Sequence, residues 1–176
     1  MQKAVNILAI PLILMIVWSL IVFVISVLGS LGIQIAGSVI VATSLALIGG
    51  LIGSVMSLIV GFNTVKQGTT SVKTMAMMGA MFGLLISIVS AFLEIIIYLF
   101  SLLTGTTVTT GLAGLSLPII IDLAGMIDPS IPTIKQSILM GSTITVIGSV
   151  LMMFINIISG TLLSIIGGTI TKKLGK

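Results

Sequence analysis

Thr74 to Leu103 reads TMAMMGAMFGLLISIVSAFLEIIIYLFSLL, and it carries one charge, on Glu94. A bilayer's hydrocarbon core is about 30 Å thick and is crossed by about 20 apolar residues. At 1.5 Å per residue this stretch reaches roughly 45 Å, enough to cross with tilt. Its backbone amides would find no water there, so the segment must be a helix or a barrel strand. Barrel strands alternate with period two in short segments. No such alternation is present, so the stretch is predicted to be a transmembrane helix.

The remainder of the chain has the same character. Of 176 residues, 57% are hydrophobic and 6% charged. Soluble domains carry about 25% charged residues, so a soluble fold would have little to cover its surface with. The fold class expected is all-α, a polytopic membrane protein forming one integral membrane domain over residues 1–176. Four spans are predicted, at 4–28, 35–62, 74–103 and 137–170. The run at 4–28 exceeds the 7–15-residue apolar core of a signal peptide and reads as an uncleaved first span. Pro11 either kinks that helix or marks its first turn. Trp18 falls in mid-span on a bulky face, which points helix 1 toward lipid.

Residues 63–73, NTVKQGTTSVK, are expected to be a polar cytoplasmic loop, with no phosphate-loop pattern around Gly68. Residues 104–136 form the opposite connection. Within it, 115–127 (LSLPIIIDLAGMI) is too short for an ordinary span and suggests an interfacial or re-entrant helix. Asp122 and Asp128 read as acids of a helix end and a turn.

All seven basic residues are lysines. Four spans with both termini cytoplasmic place Lys3, Lys66, Lys73, Lys172, Lys173 and Lys176 inside and Lys135 outside, in line with the positive-inside rule. A competing pattern is a gapless resemblance of 72–111 to 134–173, which pairs Met78-Gly79 with Met140-Gly141, Ser87 with Ser149 and Glu94 with Asn156. Duplicated units of opposite orientation occur in transporters. A parallel duplication would require a fifth span within 111–127 and would reverse the C-terminal lysines, so five spans is the alternative.

Small residues recur at four-residue spacing, the pattern that lets membrane helices approach closely. Helix 2 carries Gly49, Gly53, Ser57 and Gly61, with a second ridge of Ser38, Ala42, Ala46, Gly50 and Ser54, which implies neighbours on two sides. Helix 3 carries Gly79, Gly83 and Ser87; helix 4 carries Gly141, Thr145, Ser149, Asn156, Gly160, Ser164 and Gly168. These are the candidate packing positions.

Glu94 is the candidate ion- or proton-binding residue. A carboxylate near a helix centre costs about 2.5–3.5 kcal/mol on insertion scales and marks a function or a hydrogen-bonded contact. With four spans its level partners would be Thr145 and Ser149; with five, Asn156.

The absence of His and Cys removes thiol chemistry and the usual zinc sites. With no Arg either, and three acids in separate segments, no catalytic residue, metal site or cofactor is assigned and the chain is not read as an enzyme. Met75, Met77, Met78 and Met81 could ligate Cu(I), but methionines at this spacing more often fill core gaps. The expected partners are the lipid bilayer and other membrane subunits or further copies of the chain, and not nucleic acid. The function expected is a structural or accessory helix-packing subunit in the cell membrane. The alternative is a small transporter or channel using Glu94, and a holin-like membrane-remodelling role is a third class.

Overall fold

The computed structural model describes residues 2–30, 39–104 and 134–174. Among these the chain is all helical. The helices are α1 (Gln2–Ser30), α2 (Val39–Lys66), α3 (Val72–Thr104) and α4 (Ile134–Leu174). Each is long and apolar enough to cross a membrane, over Lys3–Leu28, Leu47–Lys66, Val72–Leu93 and Val150–Leu174. The segment expected to hold a short helix, 115–127, lies outside the described residues, as do Asp122 and Asp128.

The expected loop at 63–73 shrinks to a turn. Asn63 and Thr64 stay helical because their polar groups find partners within the fold: Asn63 Nδ2 donates to the Ile7 carbonyl at 3.3 Å and Thr64 Oγ1 to the Val60 carbonyl at 2.8 Å. Gly68 then ends α2 with φ at 81°, in the left-handed region that glycine enters without strain. The Gly68 amide bonds the Val65 carbonyl at 2.9 Å and the Thr69 amide bonds the Thr64 carbonyl at 3.2 Å, the paired closure of a Schellman motif. The Ser71 carbonyl accepts from the amides of Thr74 and Met75 and starts α3 early enough to take in Lys73.

The chain forms two compact units, each drawing on all four helices. The first comprises residues 1–19, 48–90 and 152–176. Its side-chain core gathers Ile7, Leu8 and Met15 of α1, Val60 of α2, and Met78 and Phe82 of α3. On α1 the buried positions Ile7, Leu8, Pro11 and Met15 recur at helical spacing and make one stripe. Helix α1 continues through Pro11, whose ring is fully buried. Trp18 lies over Gly49, whose missing side chain makes room for the indole. The opposite face of α1, with Ile10, Ile13 and Val17, is exposed. Outward-facing apolar side chains of this kind need lipid or another protein to cover them.

Within this unit α1 and α2 run antiparallel, with Ile7 beside Asn63, Met15 beside Gly53 and Trp18 beside Gly49. Helices α3 and α4 are antiparallel too: Gly79 faces Gly160, and one turn further along α3 Gly83 faces Asn156, one turn back along α4. The first turn of α1, the last of α2, the first of α3 and the last of α4 therefore share one end.

The second unit comprises residues 20–47 and 91–151. In it Ser26 is buried on α1 and turns its hydroxyl back to the Val22 carbonyl at 2.8 Å, which satisfies the group without a partner helix.

Candidate functional site

The site with the most developed geometry is a seam in the first unit, where α2, α3 and α4 meet at backbone level. Glycine makes it possible. A Cβ added at Gly61 would lie 2.7 Å from the Gly168 amide nitrogen and closer still to the Ser164 carbonyl oxygen. One added at Gly83 would lie 2.6 Å from the Asn156 carbonyl carbon, and one at Gly79 would lie 2.6 Å from Ser164 Cβ. At Gly167 a Cβ would press on the Leu58 backbone. Cβ atoms do not occur at such distances from backbone atoms, so no larger residue fits without moving a helix. At Gly61, Gly79, Gly83 and Gly167 the hydrogen that replaces Cβ faces a carbonyl oxygen of the neighbouring helix, the arrangement of a Cα–H···O contact.

Two conventional hydrogen bonds stitch the same seam. Ser164 Oγ donates to the Met75 carbonyl at 2.9 Å across α4 and α3, fully buried. Asn156 Nδ2 donates to Ser87 Oγ at 3.1 Å, while Ser87 Oγ donates to the Gly83 carbonyl at 2.8 Å. In apolar surroundings such bonds hold helices in register, at a net worth of about 0.6 kcal/mol each.

The packing positions named from the sequence separate into distinct environments. Gly61, Gly79, Gly83, Gly160 and Gly168 lie in the seam, with Ser87 at its edge through Asn156. Gly49 and Gly53 face α1 rather than α3 or α4, and Ser57 is buried with its hydroxyl on the Gly53 carbonyl. The surroundings of Gly141 lie outside the described residues. The second small ridge of α2 is described only at Gly50 and Ser54, and there it has no neighbour among the described residues. None of the described residues lies within 4 Å of a Cβ added at Gly50, and Ser54 is exposed with its hydroxyl turned back to the Gly50 carbonyl. Ser38 lies outside the described residues, as do the side chains of Ala42 and Ala46.

Of the four polar candidates, Asn156 has a described side chain. The side chains of Glu94, Thr145 and Ser149 lie outside the described residues. Asn156 is level with Gly83, and its amide goes to Ser87. On α3, Glu94 is eleven residues beyond Gly83, about 16 Å along the axis. The methionines also diverge: Met75 and Met78 are buried, while Met77 and Met81 face outward, which suits gap filling better than a shared metal.

Sequence reading overlooked two features. Gly167 was masked by Gly168 because only one of the pair fits a four-residue ridge, yet both lie in contact. The Gly68 turn was legible in principle, since an isolated glycine after Lys66 is a C-terminal cap signal. Comparison with protein-family models, with curated proteins and with solved structures finds no match.

Proposed function

We propose that this chain is a membrane-embedded helix-packing subunit, a structural or accessory component of a membrane complex or of a homo-oligomer. It resides in the cell membrane with four spans and both termini cytoplasmic, and it is not an enzyme. The reading rests on the division of labour among its glycines. Most described helical glycines are covered from within the chain, so the cost of about 1 kcal/mol that glycine carries relative to alanine in a helix is offset by close contact. Gly50 is different, because none of the described residues comes within 4 Å of a Cβ added there. It sits with Ser54 between Leu47 and Leu51, exposed by 66% and 68%. A shallow groove between large apolar side chains on a membrane helix suits a second helix lying against it.

The test separates assembly from folding. Gly50→Leu puts a side chain where an added Cβ meets none of the described residues, so it should shift the protein to a smaller assembly, or release a co-purifying subunit, with helix content and thermal stability kept. An unchanged assembly state in native membranes, read by cross-linking and by mass in lipid discs, would remove the basis of the proposal.

A further inference from the structure

The end of the first unit where α1 and α3 begin and α2 and α4 finish carries Lys3, Lys66, Lys73, Lys172 and Lys173. The sequence segments of that unit contain no Asp or Glu; Glu94, Asp122 and Asp128 all lie in other segments. Helix dipoles do not neutralise this charge. Two helix N-termini and two C-termini share the end, and their partial charges of opposite sign offset one another. Lys66 and Lys172-Lys173 occupy last turns, where a cation is favourable. Lys3 and Lys73 occupy first turns, where it is not, and neither first turn holds an acid.

Three of these lysines border the 67–71 turn or reach it. Lys66 ends the helix before it and holds its Nζ 4.5 Å from the centroid of the Phe62 ring. Lys73 follows the turn in α3 and is exposed. Lys172 reaches across from α4, and its Nζ donates to the Thr70 carbonyl. Exposed Thr70 and Ser71 add hydroxyl groups beside them.

We propose that this rim binds the headgroups of anionic phospholipids in the leaflet it faces, with Lys66, Lys73 and Lys172 grouped on the phosphate around the turn. Charge complementarity selects the occupant. A zwitterionic headgroup brings its own cation to the phosphate, whereas an anionic one leaves the phosphate charge for the lysines. The inference depends on membrane embedding and is independent of whether the Gly50 face recruits a partner.

The experiment uses the full chain in lipid discs of mixed phosphatidylglycerol and phosphatidylcholine, with headgroup-matched spin-labelled lipids reporting the relative association of each. At low salt, phosphatidylglycerol should be retained several-fold over phosphatidylcholine, and 1 M salt should bring the ratio toward unity. Each Lys→Gln change at 66, 73 or 172 should lower the ratio, by up to about fivefold per lysine. The Lys→Arg versions should preserve it. Equal retention of the two lipids by the unaltered protein at low salt overturns the proposal, as does a ratio that the Gln variants leave unchanged. Displacement by inorganic phosphate beyond that by chloride at equal ionic strength would show a small-anion site instead and overturn it too. Should Lys66→Gln or Lys172→Gln not fold, Lys73→Gln alone and the salt series on the unaltered protein decide the matter.

Discussion

Gly79 and Gly160 face each other across α3 and α4 with no side chain between them: a Cβ on Gly160 would fall 2.6 Å from the Gly79 carbonyl oxygen, and a Cβ on Gly79 would collide with the Gly160 backbone. The two helices touch here at main-chain level. In lipid, where no hydrophobic force drives helices together, contact of this kind supplies dispersion and Cα–H···O interactions over the whole seam.

Gly79→Ala and Gly160→Ala should therefore each destabilise the protein, by about 1–3 kcal/mol from overpacking, despite alanine's better helix propensity. Gly50→Ala has open space before it and should be neutral, or stabilising by up to about 1 kcal/mol. Reversible unfolding in mixed micelles measures all three. Equal effects at Gly79 and Gly50 would show that the seam is not closed at backbone level.

The bond between Asn156 and Ser87 can be isolated by a double-mutant cycle. Asn156→Ala and Ser87→Ala should show a coupling near 0.6 kcal/mol, the usual size for polar contacts between membrane helices. Ser87→Ala alone should cost little more, because the second bond of Ser87 is to its own helix at Gly83. A coupling of zero in the cycle would place the two side chains apart.

Gly68 owes its identity to its backbone angle rather than to crowding, since none of the described residues lies within 4 Å of its missing Cβ. Gly68→Ala should cost about 1–2 kcal/mol through left-handed strain, and Gly68→Asn less, because asparagine tolerates that region. Thermal denaturation in detergent compares them. If alanine and asparagine behave alike, the turn does not require the positive φ.

The chain lacks cysteine, so single introduced thiols report topology without background. With four spans, cysteines in place of Lys3, Gln67 and Leu174 should all be labelled by a membrane-impermeant maleimide from the same face. Labelling of position 174 from the face opposite to 3 and 67 would mean an odd number of spans.

Much of the architecture could be read before any coordinates, and the reason is energetic. Transfer of a helix into hydrocarbon is close to a sum over its residues, so runs such as 74–103 announce themselves. Lysines at their ends and the isolated Gly68 mark the turns by equally local rules. The boundaries near 63–73 differ from the sequence expectation because polarity there reads as a loop, whereas Asn63 and Thr64 satisfy their polar groups inside the fold, one of them on another helix.

Pairing was a different matter. Gly53 and Gly50 belong to equivalent ridges in the sequence, yet Met15 covers one and none of the described residues covers the other. Asn156 could have answered Glu94 or Ser87; the antiparallel register of α3 and α4 brings it to Ser87. The amino-acid sequence by itself determined that four rods are apolar enough to cross a membrane and where their charged ends fall, because each residue's affinity for hydrocarbon is its own. Only the tertiary structure decided which small residues close on which, because contact between two surfaces depends on the shape of both.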